Sequence, residues 1–158
     1  MKYVVLAWLL CCSHFSYADF AYHGQLQLQT ASGEQRQQIF TLQLKREAGA
    51  YQFTVGQQQT RFAMPPQSYS MALILQDDTD VWVTDLSNQP LHGFTLQLGQ
   101  YVIKLNKDDN ARSARGRFVL QINDEFYYFS KGPAQINFSL TDNGISELNV
   151  RGMFKPKR

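Results

Sequence analysis

The chain has 158 residues, is 44% hydrophobic and 13% aromatic, and sets 15 Lys and Arg against 13 Asp and Glu, a formal net charge of +2. So even a balance gives no electrostatic steering toward nucleic acid or an anionic membrane. Its only cysteines, Cys11 and Cys12, lie near the N-terminus, so the body of the chain has no disulfide, thiol nucleophile or Cys-ligated metal.

Lys2 precedes an apolar run from Tyr3 to Cys12, and Ser16-Tyr17-Ala18 presents small residues for a cut after Ala18. Residues 1–18 therefore read as a cleaved signal peptide, whose apolar run is too short to span a bilayer as a helix. Lipid attachment at Cys11 or Cys12 would want a small residue just before the cysteine, and Leu10 or Cys11 does not supply one. The exported form is expected in the periplasm or at the cell surface. Residues 19–154 are expected to form one domain, followed by a short basic tail at 155–158.

From Phe20 onward apolar and polar residues alternate, the period-two signature of half-buried strands. Phe20, Tyr22, Leu26 and Leu28 share one face; Ala31-Ser-Gly-Glu34 turns the chain; Phe40, Leu42 and Leu44 line the next strand. Tyr51, Phe53 and Val55 follow a turn at Ala48-Gly-Ala50. Gln57-Gln-Gln59 and Met64-Pro-Pro-Gln67 interrupt the pattern, since proline cannot donate to a ladder. It resumes at Tyr69, Met71, Leu73 and Leu75, turns at Asp77-Asp-Thr-Asp80, and continues from Val81 to Leu86.

Asn88-Gln-Pro-Leu-His-Gly93 reads as turn material, which would make His92 a solvent-exposed turn residue. Gly99-Gln100 makes a two-residue connection into Tyr101, Ile103 and Leu105. After the polar run Asn106 to Asn110 come Phe118, Leu120 and Ile122, a turn at Asn123-Asp-Glu125, and Phe126 to Ser130. Gly132-Pro133 separates that strand from Ile136, Phe138 and Leu140, and Asp142-Asn-Gly144 is a strong hairpin signal toward Leu148, Val150 and Phe154. No segment after residue 19 sustains a helical period. The expectation is an all-β, single-domain antiparallel β-sandwich or β-barrel of about ten strands built from hairpins.

FTLQL occurs twice, at Phe40–Leu44 and Phe94–Leu98, and each copy leads into a Tyr-headed strand. The connections differ in length, so no fixed repeat period exists. The pentapeptide is what a buried strand face needs, and its role is structural.

Chemistry-bearing residues are sparse. Only His23 and His92 follow the signal segment, and neither sits in a recognisable nucleophile motif. Asp77-Asp78-Thr79-Asp80 and Asp108-Asp109 lack the alternating acids, central Gly and closing Glu of a calcium loop. Glu34, Glu47, Glu125 and Glu147 all lie at or near turns. The expectation is therefore no catalytic residue, no metal and no cofactor.

The aromatic run Phe126-Tyr-Tyr-Phe129 places Phe126 and Tyr128 on one face and Tyr127 and Phe129 on the other. Phe126 and Tyr128 are expected in the core, and Tyr127, Phe129 and Trp82 are the candidates for touching a protein, glycan or lipid partner. Lys45, Lys104 and Arg117 lie on strands, and the chain ends in Lys155-Pro-Lys-Arg158 rather than an aromatic, which argues against an integral outer-membrane barrel. The sequence thus points to an exported binding or accessory module with a filled core. A lipocalin-like carrier of a small apolar ligand is the alternative, and peripheral membrane association stays open.

Overall fold

Alternation of apolar and polar side chains becomes eleven antiparallel strands in the computed structural model, which describes residues 19–76, 80–108 and 117–156. In chain order these are β1 (Phe20–Thr30), β2 (Gln35–Glu47), β3 (Ala50–Val55), β4 (Gln58–Phe62), β5 (Ser68–Gln76), β6 (Asp80–Val83), β7 (Leu91–Leu98), β8 (Tyr101–Lys107), β9 (Phe118–Ile122), β10 (Glu125–Thr141) and β11 (Gly144–Pro156). Residues 1–18, expected to be a signal peptide, the expected turn residues Asp77 to Thr79, Asp109 and Asn110, and residues 157–158 of the expected tail lie outside the described residues.

The strands form one sheet in the order β4-β3-β2-β1-β7-β6-β5-β10-β9-β8, with β11 on the second edge of β10 and β8 also pairing β7. β6 meets β7 through a single residue pair, Val81 with Leu91. One pair does not make a continuous wall, so the sheet stays open. It nevertheless curls over on itself. The Phe53 ring of β3 lies 5.9 Å from the Tyr69 ring of β5, although four strands intervene in the sheet order. At the other end, the backbone N–H of Ile145 in β11 donates to the Tyr22 hydroxyl of β1 (3.3 Å).

Between these facing parts lies the core. Every strand except β4 contributes to it, and the largest fully buried side chains include Phe40, Phe118, Phe129 and Phe138. Each such side chain stabilises the fold by roughly 1.5–3 kcal/mol through removal from water. The two FTLQL copies lie on opposite edges of β1: Gly24 faces Phe40 in β2, while Leu28 faces Phe94 in β7. Phe40, Leu42 and Leu44 are buried, and so are Phe94, Leu96 and Leu98. The repeat is two walls around one strand.

Four expectations need correction. Phe126 and Phe129 have exchanged faces: Phe126 is 41% exposed, whereas Phe129 is 1% exposed and in the core. The connection from β9 to β10 has two residues, Asn123 and Asp124, and not three. Phe118 therefore opposes Phe129 and Leu120 opposes Tyr127. Residues directly opposed in an antiparallel pair point to one face, so one residue of loop length moves the whole strand's pattern to the other side. Phe129 is not an outward contact residue.

Gly132-Pro133 does not end a strand. β10 runs through it, changes neighbour from β9 to β5, and shifts register against β11 between Phe129 and Ala134. Gly132 has φ 83° and Gly152, opposite Ala134, has φ 134°, backbone that favours glycine, and a Cβ on Gly152 would sit 2.7 Å from the Ala134 Cα.

A further strand, β4, occupies residues expected to be irregular. It pairs only with β3, and its five residues are all exposed. Finally, His92 is in β7, not in a turn. Gln29 faces Gly93 and Thr30 faces Leu91, so His92 is the extra residue of a β-bulge, placed where the far edge of β7 passes from β6 to β8.

Candidate functional site

The open end of the curl leaves a cleft of about 250 Å³ between the β3–β4 hairpin and β5. Strand phase dictates its walls. Tyr51, Phe53 and Val55 oppose Phe62, Thr60 and Gln58, so these β4 side chains point inward with those of β3. No further strand covers β4, so its inner face stays open to solvent. The opposite wall is Ser68, Tyr69 and Ser70 of β5, with Asp85 from the β6–β7 connection and Pro66 at the mouth.

Aromatic rings run from rim to core. Phe62 is 37% exposed and packs edge-on against Phe53 at 6.4 Å between centroids. Phe53 meets Tyr69 edge-on at 5.9 Å, and Tyr69 stacks on buried Phe138 at 5.3 Å. Such edge-to-face and offset geometries add to area burial by placing ring hydrogens against ring faces. Met64, 76% exposed, extends the apolar rim.

The polar handle at depth is a phenol and a carboxylate. The Tyr69 hydroxyl donates to Asp85 Oδ2 at 2.8 Å. Burial pushes the Tyr69 phenol well above its ordinary pKa, and the adjacent Asp85 charge and their hydrogen bond push the same way. Asp85 holds φ 71°, left-handed backbone that Asp tolerates better than most residues. Its carbonyl oxygen lies against Gly56 of the β3–β4 turn: a Cβ there would sit 3.2 Å from it. The hairpin wall is thus set directly on the loop that carries the carboxylate.

Trp82, Tyr127 and Phe129 are not brought together. Trp82 lies half-buried on the outward side of β6, since its neighbours Val81 and Val83 are buried, and opposes Ile74, which is 44% exposed and in turn opposes Pro133. Tyr127 packs at the margin of the core, and its hydroxyl donates to Glu125 Oε2, which pushes its pKa up to about 12. Phe129 is buried among core residues.

Among the described residues, neither imidazole lines the cleft. His92 Nδ1 lies 2.5 Å from Asp80 Oδ1, bridging the one-pair seam between β6 and β7. His23 is exposed, with Nδ1 3.4 Å from Thr41 Oγ1. Among the described residues no three His, Cys, Asp or Glu side chains converge as metal ligands would. No helix among them is long and apolar enough to cross a membrane.

The cleft escaped sequence reasoning because Phe53, Tyr69 and Asp85 are ordinary residues of three separate segments. Only the curl of the sheet joins them. Comparison with protein-family models, with curated proteins and with solved structures gives no match to this chain.

Proposed function

We propose that the chain is an exported binding module, an accessory protein of the periplasm or cell surface, that grips an aromatic or branched apolar group of its partner in the cleft beside β4. The observation that carries this reading is the aromatic series Phe62–Phe53–Tyr69, open to solvent at one end and closed at the other by the Tyr69–Asp85 hydrogen bond. Apolar walls with a few fixed polar groups are the usual make-up of a ligand pocket, and this one, at about 250 Å³, is smaller than the usual range of about 300–1,000 Å³. It suits one anchoring group rather than a whole cofactor. No catalytic role is assigned, because the one carboxylate lining the cleft is engaged by the phenol beside it.

Within this reading the architecture is a sandwich-like curl rather than a ligand-holding barrel. Core side chains fill the space between the facing strands, as a sandwich requires. The exported form should begin at Asp19.

The test uses 1-anilinonaphthalene-8-sulfonate as an aromatic probe of the purified mature protein. One molecule is expected to bind, and Phe62→Ser, a change at an exposed rim position, should weaken it about tenfold, the factor expected for losing roughly one aromatic contact. Binding that ignores Phe62→Ser overturns the cleft as the site. A lipid co-purifying in native mass spectrometry and lost on core substitution without unfolding would establish the carrier instead.

A further inference from the structure

Antiparallel registers define not only the interior but also two continuous rows of outward side chains. One row reads Gln37, Gln27, Thr95, Lys104, Gln121 and Phe126, from β2 through β1, β7, β8 and β9 to β10. The next reads Gln35, Gln29, Gly93, Asn106, Val119 and Tyr128 across the same strands. Where Gly93 interrupts the second row there is no side chain, and the outer face sinks into a groove of about 370 Å³. Gly93 is fixed there by the backbone, since a Cβ would sit 2.5 Å from the carbonyl oxygen of Leu105.

The chemistry of this groove differs from that of the cleft. Leu28 and Phe94 turn their side chains into the core, so the walls are the amides of Gln27, Gln29, Gln35, Gln37 and Asn106 with the Thr95 hydroxyl. Arg36 also borders it, but its guanidinium is held by Glu34 in two hydrogen bonds of 2.7 and 2.9 Å. Lys104 is the one further cation in the two rows. Each primary amide offers two donors and a two-lone-pair acceptor, and each hydroxyl offers one donor and two acceptor sites. A groove walled by amide and hydroxyl donors and acceptors, its one bordering guanidinium neutralised by Glu34, matches a ligand made of hydroxyls. At the β10 end stands Phe126, 41% exposed, with half-buried Tyr128 in the neighbouring row. The negative face of an aromatic ring attracts the positively polarised C–H face of a pyranose ring.

We propose that this outer face of β2, β1, β7 and β8 is a binding groove for a neutral oligosaccharide, with the exposed aromatics of β10 as an outlying stacking position. Strands are spaced about 4.8 Å apart, so the four strands of the groove span roughly 15 Å. That length accommodates a short run of sugar units lying across the strands. The inference extends the binding-module reading to a second surface, independent of the cleft.

The experiment follows the side-chain amide and backbone signals of ¹⁵N-labelled mature protein during titration with maltohexaose, cellohexaose and hexa-N-acetylchitohexaose, and with an alginate oligomer as anionic contrast. The expected result is movement of the Gln27, Gln29 and Asn106 amide signals with at least one neutral sugar. Affinity for it should fall about tenfold in the Gln29→Ala/Asn106→Ala double variant, the worth of about one hydrogen bond. Both positions point outward, so the variant keeps its fold. Phe62→Ser should leave the titration unchanged. No response to any neutral sugar overturns the proposal, and if the dye still binds the cleft, the cleft reading survives alone. A response confined to the alginate oligomer and abolished by Lys104→Ala also overturns it, by replacing hydroxyl recognition with charge.

Discussion

Truncating one aromatic at a time within Phe126-Tyr-Tyr-Phe129 separates the two faces of β10. Phe129 is 1% exposed, opposes Phe118 across β9 and sits in the core cluster, so Phe129→Ala removes a ring whose space the surrounding strands cannot refill. The cost expected for such a deletion is about 3–5 kcal/mol. Phe126 is 41% exposed and opposes Gln121, so Phe126→Ala should change stability by no more than about 0.5 kcal/mol. For a domain near this size each kcal/mol moves the thermal midpoint by about 2–4 °C, so Phe129→Ala should melt roughly 6–20 °C lower. Urea unfolding followed by circular dichroism measures both variants, and an unchanged denaturant slope licenses reading the midpoint shift as stability. The reverse order, with Phe126→Ala the damaging change, would place the β9–β10 register one residue off and refute the assignment of inner and outer faces.

Tyr69→Phe leaves the half-buried Asp85 carboxylate without its phenol donor and should cost about 0.5–1.5 kcal/mol, since water can reach the carboxylate through the cleft, read from the same unfolding curves. Raised phenol pKa values mean that the folded state holds protons the unfolded chain would release. The stability contributed by Tyr69 and Tyr127 is thus intact below the ordinary phenol pKa of about 10 and is lost as pH climbs through the folded values, about 12 for Tyr127. Ultraviolet titration should show phenol ionisation still incomplete well above the ordinary value, and its completion near that value would refute the partial burial of Tyr69. Gly24→Ala should destabilise by about 1–3 kcal/mol, because its Cβ would fall on the backbone carbonyl oxygen of Gln97 in β7; an unchanged melting midpoint would contradict that β1–β7 approach.

Much of the fold is legible in the sequence because period-two burial is written into consecutive residues. Leu26, Phe40, Leu42, Phe53, Leu73, Leu120 and Phe138 are all found inside as their alternation implies. What alternation lacks is an absolute phase across a turn. The Asn123-Asp124 connection differs by one residue from the three-residue turn expected, and that alone inverts Phe126 and Phe129. β4 is invisible for the opposite reason. An edge strand that buries nothing has no apolar stripe to read, and Gln58-Gln-Thr-Arg-Phe62 resembles a loop. His92 is hidden likewise, since a bulge is defined by what lies opposite, and Gln29 and Thr30 are far from it in the chain.

The placing of the two FTLQL copies on either edge of β1 also bears on how the chain finds its fold. Both segments run antiparallel to β1 and offer the same Phe-Leu-Leu stripe, yet Phe40 must settle opposite Gly24 and Phe94 opposite Leu28. Composition alone does not tell β1 which copy belongs on which edge. Distance along the chain does: β2 follows β1 after one tight turn, whereas β7 arrives only after five further strands. Closing the longer loop, roughly fifteenfold longer, costs about 2 kcal/mol more in chain entropy. The β1–β2 hairpin is therefore expected to form on the microsecond scale of local pairing and to occupy its edge before the second copy is in reach. On that expectation, order of arrival resolves the ambiguity in the pentapeptide.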